Sequence, residues 1–354
     1  MQRFSCQACG QLLFFENVQC LGCGRTLGFL PDICRISALE PAGGDAWATL
    51  DQQVRGRLYR FCGNYAQYQV CNWMVPLDDN LELCRACRHN ETIPDLSVPA
   101  NHDYWAQLER GKRRLFYSLI KLGLPLETKA ENPASGLAFE FLADPDSDFA
   151  ESSKVMTGHA NGVITLNVAE ADDAVRERMR LAMNERYRTV LGHFRHEIGH
   201  YYWERLVNET AHQQSFRELF GDESQDYDAA LQRHYQNGPP PDWQQRFVSI
   251  YASSHPWEDW AESWAHYLHM VDTLETARDL HLSLGAGGAG TNLALSGDDP
   301  YRPSSFDAMI GAWLPLTEAI NALNRSMGQP DSYPFVLSEQ AVEKVRYVHD
   351  LMSQ

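Results

Sequence analysis

The chain has 354 residues, enough to bury a large core and to hold two domains. Hydrophobic residues make up 44% and charged residues 22%, the balance of a globular protein, and no run is long or apolar enough to span a membrane. A formal net charge of -17 argues against nucleic acid as the main partner.

The opening MQRFSCQACG lacks the basic start and apolar core of a secretory signal, so a cytoplasmic protein is the expectation. All nine cysteines fall in the first quarter of the chain, which in that compartment reads as metal binding and not as a disulfide framework. Cys6-x-x-Cys9 and Cys20-x-x-Cys23 are two knuckles, flanked by Gly10, Gly22 and Gly24, which ease the tight turns around a metal. Residues 12–18 between them are expected to form a short hairpin, completing a zinc ribbon with one structural zinc. Cys62, Cys71, Cys84 and Cys87 form a second set in which only the last pair is a knuckle. A second four-cysteine zinc site is expected there, with cross-pairing between the sets, or His89 in place of one thiolate, as alternatives. Four thiolates leave no open position, so both sites are structural. Cys34 is left over as a small thiol.

The turn-rich stretch 92–99 separates a ribbon domain, residues 1–95, from a second domain, residues 96–354. Residues 101–122 read as a helix with Tyr104, Trp105, Leu108, Leu115, Leu119 and Leu122 on its apolar side. Arg110, Lys112, Arg113 and Arg114 form a basic cluster on it, read as a solvated face. Residues 136–142 and 162–168 have strand character, the second following the turn signal HANG. An open sheet edge there can bind an extended peptide by adding a strand. Residues 172–183 are charged and helical.

The next stretch, LGHFRHEIGHYYW at 191–203, contains His-Glu-x-x-His as His196, Glu197 and His200. On a helix the two imidazoles are one turn apart and can reach one Zn²⁺, with Glu197 beside them as a proton acceptor. Tyr187, Leu191, Phe194, Ile198 and Tyr201 make an apolar stripe on roughly the opposite side. Gly199 would let another segment approach closely.

Residues 216–236 read as a helical excursion ended by Asn237-Gly238 and three prolines. In SIYASSHPWEDWAESWAHYLHM, residues 249–270, Pro256 sits at the first turn of a helix. Glu258 and Glu262 are then one turn apart, with His266 one turn further. That spacing lets Glu258 be the third zinc ligand while Glu262 hydrogen-bonds the free nitrogen of a ligating histidine. The plainer reading is an acidic helix start favoured by the helix dipole. It gives way once His-Glu-x-x-His lies upstream. Residues 280–303, with GAGGAG at 285–290, read as a flexible loop, and helices are expected at 306–327 and 338–352.

HEIGH followed by EDWAE resembles the gluzincin metallopeptidases, and ExxAE is similar to the corresponding helix of anthrax lethal factor. Over nearly the whole chain, the CxxCG ribbon, RFCGN, CNW, TIPDL, GHANGVITLN, HFRHEIGHYYW and WAHYLH resemble the bacterial zinc-binding metallopeptidases that carry an N-terminal zinc-ribbon domain. The resemblance implies an α+β architecture: a zincin-like metallopeptidase domain, mainly helical with a small sheet, preceded by a small zinc ribbon. Carried over, it assigns His196, His200 and Glu258 as ligands, Glu197 as general base and Glu262 as the carboxylate supporting a ligand. Tyr251 stands where lethal factor has a tyrosine near the zinc, placed to donate a hydrogen bond to the oxyanion. His255 and His266 are alternatives for that role. His193 shares the ligand face and is either an outer group or a ligand in place of Glu258.

The expected function is hydrolysis of a peptide bond by zinc-activated water, with one catalytic and two structural zinc ions and a peptide or protein as substrate. Two alternatives remain. One is a narrow zinc amidohydrolase acting on a modified peptide or small amide. The other is a ribbon-based binding module with a silent hydrolase site.

Overall fold

Each cysteine knuckle sits inside its own small hairpin. In the computed structural model of the chain, which describes residues 2–144, 155, 157–182, 188–285, 292–294, 299–303 and 305–353, β1 (Phe4–Ser5) pairs antiparallel with β2 (Leu12–Leu13) around Cys6 and Cys9. A bridge between Gln19 and Thr26 closes around Cys20 and Cys23 in the same way. The hairpin expected over residues 12–18 is therefore not what forms, because the backbone pairs across each knuckle and not between them. The two turns repeat one geometry. Gly10 N donates to Cys6 O and Gly24 N to Cys20 O, both at 2.8 Å, and the two glycines have φ of 74° and 73°, a conformation that strains other residues.

An antiparallel sheet of five strands in chain order follows: β3 (Leu27–Leu30), β4 (Arg35–Gly43), β5 (Ala46–Thr49), β6 (Leu58–Phe61) and β7 (Met74–Pro76). A short helix α1 (Gly63–Tyr68) separates the last two. Leu30, Leu39, Tyr59 and Met74 form a core, with Ile33, Trp47 and Phe61 against it. Gly28 makes room for it, since a Cβ there would lie 2.4 Å from Met74 Sδ.

The second sheet has the order β10-β11-β9-β8, made of β8 (Asn90–Thr92), β9 (Ala138–Leu142), β10 (Gly158–Ala160) and β11 (Val163–Asn167). β8 and β11 run parallel to β9, and β10 is antiparallel to β11. The strand expected at 162–168 is thus interior, paired on both sides, and the edges are β10 and β8.

Between β8 and β9 runs α2 (Pro99–Leu122), which begins with proline and ends at Gly123 in the left-handed conformation. Its apolar side is buried as expected at Trp105, Leu108, Leu115 and Leu119. Its basic cluster is not a solvated face: Arg110 is exposed, but Lys112 and Arg113 are buried. Lys112 Nζ pairs with Glu109 Oε1 at 2.8 Å, and Arg113 Nη1 donates to Val70 O at 2.5 Å. Periodicity cannot reveal this, because the partners lie on other segments. Tyr117 of α2 joins an edge-on aromatic cluster with Phe15 and Phe29, at ring distances of 5.7 and 6.2 Å, and Trp73 lies 4.7 Å from Phe29. All of this belongs to a first compact unit, Met1–Asp172; the second is Asp173–Gln354.

The second unit is mainly helical: α3 (Asp173–Ala182), α4 (Val190–Leu206), α5 (Gln213–Phe220), α6 (Tyr227–Asn237), α7 (Trp243–Arg246), α8 (Pro256–Asp279), the hairpin of β12 (Ser283–Gly285) and β13 (Asn292–Ala294), α9 (Phe306–Ser326) and α10 (Glu339–Met352). Tyr187, position 183 and residues 286–290 of the glycine loop lie outside the described residues. The excursion expected at 216–236 is two helices. The chain breaks at Gly221, with φ of 107°, and restarts where Asp226 accepts from Ala229 N at 2.8 Å.

α4 and α8 form the centre of this unit. A Cβ on Gly199 would meet Ala261 Cα at 3.1 Å, so the glycine sets how closely the helices approach. Trp260 Nε1 reaches across to donate to Gly199 O at 2.8 Å, and Trp264 stacks on Tyr202. Lys344 of α10 pairs with Asp259 of α8 at 2.5 Å, both buried. The whole is the α+β architecture expected. Among the described residues, no helix is long and apolar enough to cross a membrane.

Candidate metal centres

α4 starts where Thr189 accepts from Gly192 N at 2.9 Å, which brings His196 and His200 onto one face one turn apart. α8 starts at Pro256, where His255 Nδ1 accepts from Trp257 N at 3.1 Å, and this sets Glu258 in the first turn. The three side chains converge. His196 Nε2 lies 3.2 Å from His200 Nε2 and 2.9 Å from Glu258 Oε2, and His200 Nε2 is 3.5 Å from the same oxygen. A tetrahedral zinc separates nitrogen and oxygen ligands by about 3.3 Å. The triangle therefore fits that ion, and all three residues are buried.

The surroundings orient these atoms. A carboxylate can only accept, so His196 Nδ1–H donates to Glu262 Oε1 at 2.8 Å, which turns Nε2 toward the triangle. Glu262 Oε2 accepts from Ser249 Oγ at 2.6 Å, while the same hydroxyl accepts from Ala252 N at 3.0 Å and fixes the helical turn Tyr251–Ser253. Tyr227 Oη donates to Glu258 Oε1 at 2.5 Å. Trp257 packs its ring 4.0 Å from that of His200. Glu197 Oε1 lies 3.2 Å from His193 Nε2, whereas its buried Oε2 has no hydrogen-bond partner among the described residues.

Burial alone would lower the His196 pKa, but Glu258 and Glu262 outweigh it and hold the imidazole well above its ordinary range. Burial would raise Glu258, and His200 and His196 instead hold it well below the usual carboxylate range. Glu197 is likewise held below its ordinary value, against burial, chiefly by His193. Two buried carboxylates, Glu197 and Glu258, and the half-buried Glu262, all held below the usual carboxylate range around two imidazoles, give a cavity suited to a cation.

Tyr251 stands with its ring 5.8 Å from that of His196, and burial, then Glu258, push its pKa well up, so its hydroxyl stays a donor. His255 is occupied as the cap of α8, with Nε2–H donating to Gln225 O at 3.2 Å. His266 is hydrogen-bonded to Tyr333 Oη at 2.6 Å, and burial lowers its pKa to about 4. His193 reaches Glu197 and not the triangle. Tyr227, Ser249 and Trp257 are contributors that sequence spacing did not single out. Ser249 and Trp257 lie inside the stretch already read for its carboxylates. Tyr227, on a separate helix, carries no local signal.

In the first unit, Cys6, Cys9, Cys20 and Cys23 converge, and so do Cys62, Cys71, Cys84 and Cys87. Sulfur pairs stand at 3.7 Å for Cys6–Cys23, 3.6 Å for Cys9–Cys20, and 3.7 Å for both Cys71–Cys84 and Cys71–Cys87. These are far too long for disulfides and close to the roughly 3.8 Å that a four-thiolate zinc gives. The sets do not cross-pair. His89 stays out of the second, its Nδ1–H donating to Leu137 O at 2.9 Å. Cys34 is a buried thiol with its sulfur 3.8 Å from Pro31 O, apart from both clusters.

Two imidazoles and a carboxylate on packed helices, in a chain that also carries two four-cysteine clusters, are donor sets suited to zinc. The chain belongs to the family described as "putative zinc-binding metallo-peptidase", whose model matches residues 101–351, and a zinc-ribbon domain model matches residues 3–98. Uncharacterized proteins of Mycobacterium tuberculosis and Mycobacterium bovis are each 43% identical to it over 356 residues, covering 100% of this chain and 96% of the relative. No solved structure matches the chain.

Proposed function

We propose that the protein is a zinc-dependent peptidase of the gluzincin type, with His196, His200 and Glu258 as ligands and Glu197 as general base. The observation that carries this reading is the 2.9–3.5 Å triangle of Nε2, Nε2 and Oε2, together with Glu197 Oε2, unpartnered among the described residues, on the same helix as both imidazoles. A bound zinc would polarise the substrate carbonyl and lower the pKa of water. Glu197 Oε2 takes the proton of the attacking water and hands it to the leaving nitrogen, and His193 holds the other oxygen still. The Ser249–Glu262–His196 chain fixes the imidazole tautomer. Tyr227 restrains Glu258 Oε1, favouring ligation through Oε2 alone. Tyr251 donates to the oxyanion.

Cys6, Cys9, Cys20 and Cys23, and Cys62, Cys71, Cys84 and Cys87, each hold a structural zinc in this reading, giving three ions per chain. Residues 1–95 and 96–354 are then its two sequence modules, in keeping with the family matches on either side of position 100. Eight cysteines gathered into two four-thiol clusters suit a reducing compartment, and we place the protein in the cytoplasm on that ground.

The test is mass spectrometry of a diverse peptide library incubated with the wild type and with Glu197→Gln. Cuts are expected from the wild type alone, with a loss of about 10²–10⁴-fold in the variant at unchanged zinc content. Cuts made equally by both would remove Glu197 from the mechanism. No cuts from a zinc-loaded wild type would favour the narrow amidohydrolase.

A further inference from the structure

A buried guanidinium without a facing carboxylate is costly unless another negative charge meets it. Arg113, in the middle of α2, is 5% exposed. Its Nη1 donates to the carbonyl of Val70, the residue before Cys71, and its Nε has no hydrogen-bond partner among the described residues. Glu109, one turn earlier, is engaged elsewhere: Oε1 accepts from Lys112 Nζ at 2.8 Å, Asn90 Nδ2 at 2.6 Å and Trp105 Nε1 at 3.3 Å, and Oε2 is 3.7 Å from Cys87 Sγ. Burial works against the charge on Arg113, and Cys71, then Glu109, Cys87 and Cys84 sustain it.

The cluster whose Cys71 directly follows that Val70 carbonyl is itself sealed, with all four cysteines buried. Two backbone amides reach its sulfurs, Trp73 N to Cys71 Sγ at 3.4 Å and Cys84 N to Cys62 Sγ at 3.3 Å. Four thiolates around one Zn²⁺ leave two net negative charges, which water cannot screen here. The first cluster differs, because its Cys9 is exposed and the cation at its rim, Arg25, has a side chain 41% exposed.

We propose that Arg113 is the built-in counter-cation of the Cys62–Cys71–Cys84–Cys87 site, so that metal retention there and the packing of α2 onto the cysteine-rich segment are one event. This rests on the reading of that cluster as a zinc site. Arg113 lies in the stretch matched by the metallopeptidase model, whereas the four cysteines lie in the stretch matched by the ribbon model. A charge from one module thus completes the metal site of the other. The same dependence accounts for α2 belonging to the first compact unit.

The experiment follows zinc release from the full-length protein to a competing chromogenic chelator. It compares the wild type with Arg113→Met, Arg113→Lys and Arg25→Gln, and tracks hydrogen exchange of peptides covering residues 62–87 and 105–117. In Arg113→Met, one zinc is expected to leave about 10–100-fold faster, with exchange rising in both peptides. Arg113→Lys should stay near the wild type, and Arg25→Gln should change release little. Release from Arg113→Met at the wild-type rate would overturn the proposal, as would Arg113→Lys failing as badly as Arg113→Met, since shape and not charge would then matter. Should Arg113→Met not fold, the wild type alone decides. Protection of residues 105–117 must fall as the zinc at residues 62–87 leaves, and unchanged protection overturns the coupling. A wild type that binds no zinc at residues 62–87 would instead sink the reading of the site itself.

Discussion

On the proposed function, the cysteine clusters of the first unit and the histidine–carboxylate cluster of the second are built for opposite uses of an ion. Each thiolate cluster supplies four ligand atoms, and the Cys62–Cys71–Cys84–Cys87 set is buried on every member. Its outer support comes from the backbone amides of Trp73 and Cys84, which stabilise the sulfurs where they are. The His196–His200–Glu258 cluster supplies three. Its support comes from side chains, with Glu262 and Ser249 behind His196 and Tyr227 behind Glu258, and a buried carboxylate oxygen on Glu197 has no hydrogen-bond partner among the described residues. A site filled by its own ligands can only hold the fold together, whereas one with a missing ligand and an idle base can act on a substrate.

That contrast can be broken from either side. Cys84→Ser should lose its zinc and destabilise the first unit by something on the order of 5 kcal/mol, lowering the melting temperature by roughly 10–20 °C in calorimetry. A variant with wild-type melting would mean that the closed site is not structural. Glu262→Gln should leave melting nearly unchanged but lower peptidase activity or zinc affinity by about 10–100-fold, read from kcat/KM and a zinc titration. Equal activity would detach Glu262 from the imidazole it contacts. Tyr227→Phe removes one hydrogen bond to a charged oxygen and should cost about tenfold in kcat/KM. A loss as deep as that of Glu197→Gln would promote Tyr227 from positioning Glu258 to a direct part in the reaction.

Legibility in the sequence followed the range of the interaction. The cysteine knuckles and the His196–His200 pair are local patterns, and their spacing alone brings the ligand atoms together. Pro256 announced the start of α8, and the four-residue step from Glu258 to Glu262 placed both carboxylates on one face. Gly199 was legible as a point of close approach, though its neighbour Ala261 was not. The misreadings came from pairings between distant segments. Lys112 and Arg113 look like a solvated basic face until Glu109, Asn90 and the Val70 carbonyl meet them. Tyr227 lies 31 residues from the glutamate it contacts, with no pattern to link them. The strand at Val163–Asn167 was visible from its alternation, but its interior position depends on β9 and β10 closing on both sides.

The most direct test is the metal content of the purified protein and of His196→Ala, measured by inductively coupled plasma mass spectrometry after exhaustive dialysis. A catalytic site beside two cysteine sites requires three zinc ions per chain in the wild type and two in the variant, with both cysteine clusters still filled. A wild type holding two ions, or a His196→Ala protein that keeps all three, would contradict it.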